Sequence, residues 1–158
     1  MSKTPACVAL DEAGVSYVLH PYEHDPSAES FGMEAAELLG LEADVVFKTL
    51  MAELDSGELV VAIVPVSGRL GLKALARAAG SKKATMAPVD AAERSSGYVA
   101  GGISPFGQRT PRRTFIDETA EIIDEIYVSA GRRGLDLSLD PMDLITLLGA
   151  QTAPLSEP

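Results

Sequence analysis

The sequence predicts a mixed α/β fold in which helices flank a mostly antiparallel or mixed sheet. Candidate helices and strands alternate along the chain, which is typical of folds that pack helices against a sheet. Several consecutive strand candidates are joined by tight turns, and this favours antiparallel pairing over a doubly wound parallel sheet. Apolar residues make up 46% of the 158 residues, enough for one aliphatic core. We therefore expect one domain over 1–150 and a frayed tail over 151–158.

The first half of the chain carries clear start and stop signals. Thr4 and Pro5 predict the beginning of a first helix, and Gly14 predicts its end. The turn at 55–57 separates two apolar segments and predicts a hairpin, whose second strand is apolar on both faces and therefore central. The remaining predictions here are a strand over 15–22, a loop over 23–30, a helix over 33–39, strands over 45–54 and 58–66, and a helix over 70–79.

The second half alternates shorter elements with glycine-rich turns. The strict alternation of LDLSL at 135–139 predicts a half-buried strand. Asp140 and Pro141 predict the start of the last helix, and Gly149 predicts its end. The other predicted elements are strands over 84–86, 98–100, 114–117 and 125–129, and a helical turn over 90–94.

Composition argues against several functional classes. No apolar run reaches the roughly 20 residues of a membrane-spanning helix, and the first residues lack a signal-peptide pattern, so we expect a soluble, cytoplasmic protein without membrane contact. The only cysteine, Cys7, leaves no internal disulfide. His20 and His24 lie beside prolines and have no further His or Cys to complete a zinc site, so we expect no metal and no cofactor.

The net charge of −10 bears on possible partners. Stand-alone proteins that bind nucleic acids gain most of their affinity from a basic surface that contacts phosphates. An acidic chain lacks such a surface, so any contact with a polyanion has to be local or assisted by a partner. The motifs G-x-S-x-G, H-E-x-x-H, G-x-G-x-x-G and the P-loop are absent as well, which leaves no conventional nucleophile or nucleotide-binding loop.

Lys48 is the charged residue with the most informative surroundings. It lies in the apolar strand candidate VVFKTLM, where alternation places it on one face with Val46 and Leu50. An amine in such a position is partly removed from water and requires a polar partner. The alternative is a lysine on the solvent face of a sheet, whose stem passes over its neighbours.

Two glycine-containing segments are further candidates. The loop at 101–107, GGISPFG, follows a strand candidate, and its backbone amides could converge on an oxygen atom as an oxyanion hole. An ordinary Gly-Pro turn would have the same composition. The segment at 127–136, YVSAGRRGLD, brings the Ser129 hydroxyl, two arginines and the Asp136 carboxylate into one hairpin. The arginines could hold a phosphate or could lie at a solvated hairpin tip.

The order of these segments carries a family resemblance. The chain contains TPA, HPYEHDP followed by FG, VFKTL, VAIVPV, KALARAAG, KKATMA, ERSSGYVAGGISPFGQ, TFID and YVSAGRRGLDLSL. The series covers nearly the whole chain and resembles the YbaK/EbsC family of Cys-tRNA(Pro) deacylases and the related editing domain of prolyl-tRNA synthetases. Each motif alone is weak, but so many in the same order are specific.

The resemblance implies a curved, barrel-like mixed sheet flanked by helices and a pocket for the aminoacyl end of tRNA. It implies that Lys48 is the essential lysine of the family and that Gly101 and Gly102 belong to its glycine loop, and we hypothesise that their amides stabilise an oxyanion. The residues that it implies for substrate binding are Tyr22, Phe31, Thr49, Ile103, Ser104, Pro105, Ser129, Gly131 and Asp136.

The resemblance also implies a reaction and partners. The cysteinyl thiol of the substrate would attack its own ester carbonyl and release the tRNA as a thiolactone forms, which fits a chain without a catalytic triad. The implied partners are mischarged tRNA, bound through its acceptor end, and prolyl-tRNA synthetase. Phe106 and Ala130 stand where the family has Leu and Gly, so the pocket could differ in shape.

Three alternatives stay open at this level. The chain could be a structural or interaction domain, in which Lys48 and the arginines are surface charges and the glycine loop is a turn. The preferred amino acid could be Ala instead of Cys, since pockets separate such side chains by only about 1 to 3 kcal/mol. The pocket could also belong to a binding module without catalysis that holds adenosine or an amino acid. The oligomeric state is not indicated by the sequence.

Overall fold

The computed structural model describes residues 3–27 and 31–158. Its helices are α1 (Pro5–Ala13), α2 (Phe31–Leu38), α3 (Leu72–Ala79), α4 (Val89–Ser96) and α5 (Pro141–Leu148), with a 3-10 helix at Glu118–Ile122. Its strands are β1 (Val18–Pro21), β2 (Phe47–Leu54), β3 (Leu59–Pro65), β4 (Arg69–Leu70), β5 (Ala84–Met86), β6 (Thr114–Asp117), β7 (Ile126–Arg132), β8 (Leu135–Leu139), β9 (Gln151–Ala153) and β10 (Ser156–Glu157). The predicted loop at 23–30 lies partly outside the described residues.

The strands form three sheets among the described residues. The largest has the order β5-β2-β3-β6-β9 and is antiparallel from β5 to β3 and parallel from β3 to β9. A second, antiparallel sheet has the order β1-β8-β7, and β4 pairs with β10 in a third. The mixed, mostly antiparallel architecture is therefore confirmed, and β3 is central as predicted. The strands do not close into a barrel; one bridge between Val46 and Tyr127 links the two larger sheets.

The core divides between the two faces of the large sheet. One face packs against the apolar face of the β1-β8-β7 sheet and against α1 and α5, with Ile63, Ile116 and Leu137 fully buried between them. The other face is covered by α3 through Leu75. The second sheet thus has one face in the core, and its opposite face lies on the side of α2.

Two predictions at the level of elements are wrong. The segment 98–100 is a loop and not a strand, because α4 extends to Ser96 and Gly97 ends it with a φ of +82°. Tyr98 then anchors the loop from inside: its hydroxyl donates a hydrogen bond to the carbonyl of Phe106 at 2.6 Å. The predicted strand is therefore a loop that Tyr98 holds against the core.

The predicted frayed tail at 151–158 is the second correction. β9 pairs with β6, β10 pairs with β4, and the Leu155 side chain is fully buried. The buried Asp117 carboxylate accepts hydrogen bonds from the amides of Leu155 and Ser156, each at 2.8 Å. These strands have two or three residues and pair with distant segments, so no local periodicity indicates them.

No helix among residues 3–27 and 31–158 combines the length and the hydrophobicity that crossing a bilayer requires.

Candidate active site

A cavity of about 260 Å³ lies between the polar face of the β1-β8-β7 sheet, the beginning of β2 and the first turn of α2. Side chains alternate along a strand, so residues beside the buried Val128 and Leu137 point away from the core. Ser129 and Asp136 are such residues and lie directly opposite each other on β7 and β8. The cavity is lined by Tyr22, Phe31, Gly32, Val46, Phe47, Lys48, Thr49, Leu50, Gly101, Ile103, Ser129 and Asp136.

α2 covers the side of the cavity that faces the polar surface of the β1-β8-β7 sheet. Its Ala35 and Ala36 pack with Val46 and against Tyr127, so the helix lies close to the polar face of the small sheet. Gly32 lets the first turn of the helix pack against Val66, which follows β3, because a Cβ atom there would lie 2.4 Å from a methyl group of that residue. The helix is thereby held near Lys48 without a side chain between them.

Lys48 is half-buried at the start of β2. Its Nζ donates a hydrogen bond to the carbonyl of Gly68 at 3.0 Å, and burial lowers the pKa of the amine. Gly68 is itself fixed by the C-terminal segment, since a Cβ atom there would lie 2.3 Å from Oγ of Ser156. The C-terminal strand β10 therefore supports the turn whose Gly68 carbonyl binds the Lys48 amine.

Asp136 supplies the carboxylate of the cavity. The residue is 5% exposed and has no hydrogen bond or ion pair among the described residues. Burial raises the pKa of this carboxyl group to about 7. Burial, and to a smaller extent the charge of Asp136, raises the pKa of Tyr22, which lines the same cavity. A second polar atom, Oγ1 of Thr49, is buried without a partner in the described part of the chain.

The glycine loop reaches the cavity through Gly101. Its φ is +88°, and a Cβ atom there would lie 2.6 Å from the ring of Phe31 and 2.8 Å from Nε of Arg133. Arg133 stacks its guanidinium over the Phe31 ring, 4.4 Å from the centroid, and donates two hydrogen bonds to the carbonyl of Ala100. The loop, α2 and the β7–β8 turn are thus packed together at this edge of the cavity.

The structure does not place every predicted residue at the cavity. Eight of the predicted residues line it, whereas Gly102, Ser104, Pro105 and Gly131 do not. The Gly102 amide donates to the carbonyl of Val99 at 2.8 Å, so it is engaged in a turn and is not available as the predicted oxyanion donor. Ser104 and Gly131 stabilise turns: Oγ of Ser104 accepts from the Phe106 amide, and the Gly131 amide donates to Oγ of Ser129.

Other residues were missed by the sequence argument or have a different role from the one expected. Phe106 and Ala130 are buried in the core and do not line the cavity, so the two departures from the family do not reshape it directly. Arg133 was expected at a phosphate or at a solvated tip, but it also holds the glycine loop. Val46 and Leu50 line the cavity with Lys48, as predicted from the alternation of this segment. The contact of Gly32 with Val66 has no signal in the sequence.

Comparisons with known proteins decide the family. A sequence model of the aminoacyl-tRNA editing domain matches residues 25–147. EbsC of Enterococcus faecalis, provisionally named a Cys-tRNA(Pro)/Cys-tRNA(Cys) deacylase, is 36% identical over 155 residues, which span 98% of this chain and 93% of that protein. The chain belongs to the aminoacyl-tRNA editing domain family. The resemblance inferred from the ordered motifs is thereby confirmed.

Solved structures agree with this editing-domain assignment. A provisionally assigned trans-editing enzyme for prolyl-tRNA synthetase superposes with a TM-score of 0.83 at 25% identity, over the full length of both chains. The hypothetical protein APE2540 superposes with a TM-score of 0.87 at 23% identity, covering 98% of this chain and 100% of that one, and shares the fold. The cavity therefore lies within an editing-domain fold.

The burial of Asp136 predicts a pH-dependent cost to folding. The folded pKa, about 7, lies above the usual value of an unfolded carboxyl group, so the unfolded chain loses its proton first as the pH rises. The contribution of Asp136 to the free energy of unfolding is therefore highest below about pH 4, where the residue is protonated in both the folded and the unfolded chain. It decreases as the pH rises from there towards 7. Asp136→Asn has no such loss, so we expect it to be more stable than the wild type at pH 8, by up to about 4 kcal/mol. Urea unfolding at pH 5 and pH 8 measures the difference.

Asp124→Asn serves as the control for this measurement, because Asp124 is exposed. Its effect on the free energy of unfolding should be small at both pH values. An Asp136→Asn effect that stayed the same from pH 5 to pH 8 would contradict a desolvated carboxyl group.

Gly101→Ala tests the packing of the glycine loop. Gly57→Ala is the matched control: Gly57 has a φ of +91°, but a Cβ atom there meets nothing within 4 Å. Both variants should lose about 1 to 2 kcal/mol from the left-handed backbone. Only Gly101→Ala has to displace Phe31 or Arg133, so only it should lose at least about tenfold in deacylation rate, comparable to weakening one oxyanion contact. Equal activity of the two variants would remove the loop from the active site.

Proposed function

We propose that this editing domain removes misattached amino acids from tRNA, and that its preferred substrate is Cys-tRNA(Pro). The proposal rests on the observation that Lys48, Gly101 and Asp136 line the same cavity. A domain with a merely structural role has no need for a half-buried amine and a buried carboxyl group that face the same space. EbsC, whose name assigns it this substrate, supports the choice of cysteine.

The chemistry of the cavity supports a reaction in which the substrate supplies its own nucleophile. Neither histidine lines the cavity: His20 is bonded to Ser138, and His24 is bonded to Glu34. The hydroxyl groups of Ser129 and Thr49 therefore have no imidazole beside them to act as a base. A cysteinyl thiol, in contrast, has a pKa of about 8.5 and is partly ionised near neutral pH without an adjacent base.

The proposed step is an intramolecular acyl transfer. The substrate sulfur attacks the ester carbonyl and forms a C–S bond, and the ester C–O bond breaks. The thiol proton goes to solvent, and the departing 3′ oxygen takes up a proton, so that a thiolactone and uncharged tRNA result. Positioning the thiol near the carbonyl is the main contribution of the protein, since oriented groups react far faster than free ones.

The residues at the cavity have distinct proposed roles. The backbone amides of Gly101 and Ile103 have no hydrogen-bond partner among the described residues, so they replace Gly102 as candidate oxyanion donors. Removing one such donor typically costs about 2.7 to 4 kcal/mol of transition-state stabilisation. Lys48 keeps two N–H groups beyond its bond to Gly68, and these are available to the terminal ribose or to the departing oxygen.

The partner proposed for tRNA delivery is prolyl-tRNA synthetase. A net charge of −10 opposes tight binding of a polyanion by the isolated chain. The solved relative described as a trans-editing enzyme for this synthetase supports the pairing. In such a complex the synthetase would contact most of the tRNA, and the editing domain would contact the aminoacyl end.

A panel of tRNA(Pro) esters tests the function. Cys, Ala and Ser esters are incubated with the protein, with and without prolyl-tRNA synthetase, and the remaining ester is measured over time. We expect the Cys ester to be lost fastest, because only its side chain provides a thiol, and the synthetase to increase the rate at low protein concentration. Faster loss of the Ala ester would identify the alternative substrate and overturn the thiol mechanism. Stability of all three esters would favour a binding module without catalysis.

Lys48→Ala tests the role of the amine. We expect deacylation of the preferred ester to fall by at least about 100-fold, as for the loss of one preorganised transition-state contact. Lys82→Ala is the control, because Lys82 is exposed, and it should retain the wild-type rate. Circular dichroism and thermal unfolding verify that both variants fold. Near-normal turnover by Lys48→Ala would exclude this residue from the mechanism.

A further inference from the structure

The Asp136 side chain is the most unusual group of the cavity. It is 5% exposed, lines the cavity, and has neither a hydrogen bond nor a cation near it among residues 3–27 and 31–158. Buried carboxylates in proteins are nearly always paired or hydrogen-bonded, because an unpaired buried charge is costly. A buried and unpartnered carboxyl group that faces an open space is therefore suited to a ligand that supplies the missing partner.

The remaining lining residues limit what that partner can be. Among the residues that the structure describes, Asp136 is the only acidic one that lines the cavity, and Lys48 directs its amine to the carbonyl of Gly68 instead of to Asp136. The space beside the carboxyl group is otherwise bordered by rings, aliphatic side chains and the hydroxyl groups of Ser129 and Thr49. A small cation with several N–H donors would compensate the buried charge better than a neutral hydroxyl group, because charge-assisted hydrogen bonds are the stronger ones.

An amino acid esterified to tRNA has one such cation, its α-ammonium group. We propose that Asp136 is the binding site of the α-ammonium group of the aminoacyl moiety. The inference rests on the proposed function and specifies which part of the substrate the carboxylate recognises. It follows that the cavity accepts esters of free amino acids and discriminates against acyl groups in which the α-nitrogen is uncharged or absent.

The site also gives a rationale for the location of Asp136 opposite Ser129. The two residues are paired across β7 and β8, and Oγ of Ser129 is already bonded to the amide of Gly131. Ser129 is the acceptor in that bond, and no hydrogen bond joins its hydroxyl group to Asp136 among the described residues, so both carboxylate oxygens remain available to a ligand. Oγ1 of Thr49, buried and without a partner in the described chain, is a second polar contact for a group bound in the same cavity.

Binding of stable substrate analogues tests the inference without catalysis. The probes are 3′-alanylamino-3′-deoxyadenosine, which carries the ammonium group on an amide that is not an ester, and its 3′-lactylamino counterpart, in which a hydroxyl group replaces the ammonium at nearly constant size. Dissociation constants are measured by calorimetry or by chemical-shift titration. Wild-type protein should bind the alanyl probe about 10- to 100-fold more tightly, as for a hydrogen bond to a charged group.

Variants assign the preference to Asp136. Asp136→Asn keeps the shape of the side chain but removes its charge, so the two probes should bind with affinities within about threefold of each other, well below the contribution of a charged hydrogen bond. Asp124→Asn removes an exposed carboxylate and should retain the wild-type preference. A 2′-deoxy version of the alanyl probe tests whether Asp136 binds the ribose instead. In that case the wild type would bind the 2′-deoxy probe more weakly than the alanyl probe, and Asp136→Asn would bind the two equally. If Asp136→Asn also kept the preference for the alanyl over the lactyl probe, the inference would be wrong.

The remaining outcomes are also decisive. Equal affinities of the alanyl and lactyl probes for the wild type, or no saturable binding of the alanyl probe at millimolar concentration, would overturn the ammonium site. Neither result depends on ester cleavage, which the tRNA(Pro) panel measures separately. Loss of the proposed function and loss of this inference are therefore distinguishable.

Discussion

The packing of α2 against the polar face of the β1-β8-β7 sheet is the constraint on which the candidate active site depends. That face points away from the apolar core and would otherwise be solvated. Gly32 allows the first turn of α2 to pack against Val66, which follows β3, and the helix covers a cavity of about 260 Å³ that Ser129 and Asp136 of the small sheet also line. The cover removes water from Lys48 and Asp136 without pairing them, so both groups remain available to a ligand at an energetic cost to the empty protein.

Arg133, although exposed, holds together three segments that border the candidate active site. Its guanidinium stacks on Phe31 and holds the carbonyl of Ala100, so α2, the β7–β8 turn and the glycine loop are fixed relative to one another. The positive φ of Gly101 and the lack of a side chain there allow these three segments to meet. The loop therefore owes its conformation to packing from outside as much as to its own glycines and proline.

The sequence predicted most of the fold because its signals are local: caps, glycine stops, and the apolar strand β3. It also predicted that Lys48, Gly101 and Asp136 converge, through the ordered family motifs, and one cavity is lined by all three. It failed where partners are distant in the chain. The pairing of β9 and β10, the engaged amide of Gly102 and the contact between Gly32 and Val66 depend on tertiary packing, to which composition and periodicity give no access.

The C-terminal strand has a consequence beyond stability. Ser156 and Glu157 press against Gly68, whose carbonyl is the acceptor for the Lys48 amine. A displacement of this segment, whether by a substitution, an appended peptide or a bound protein, would shift that acceptor and alter the orientation and basicity of an amine that the segment never touches. The C-terminal segment can in this way influence the reactivity of Lys48 through the position of Gly68.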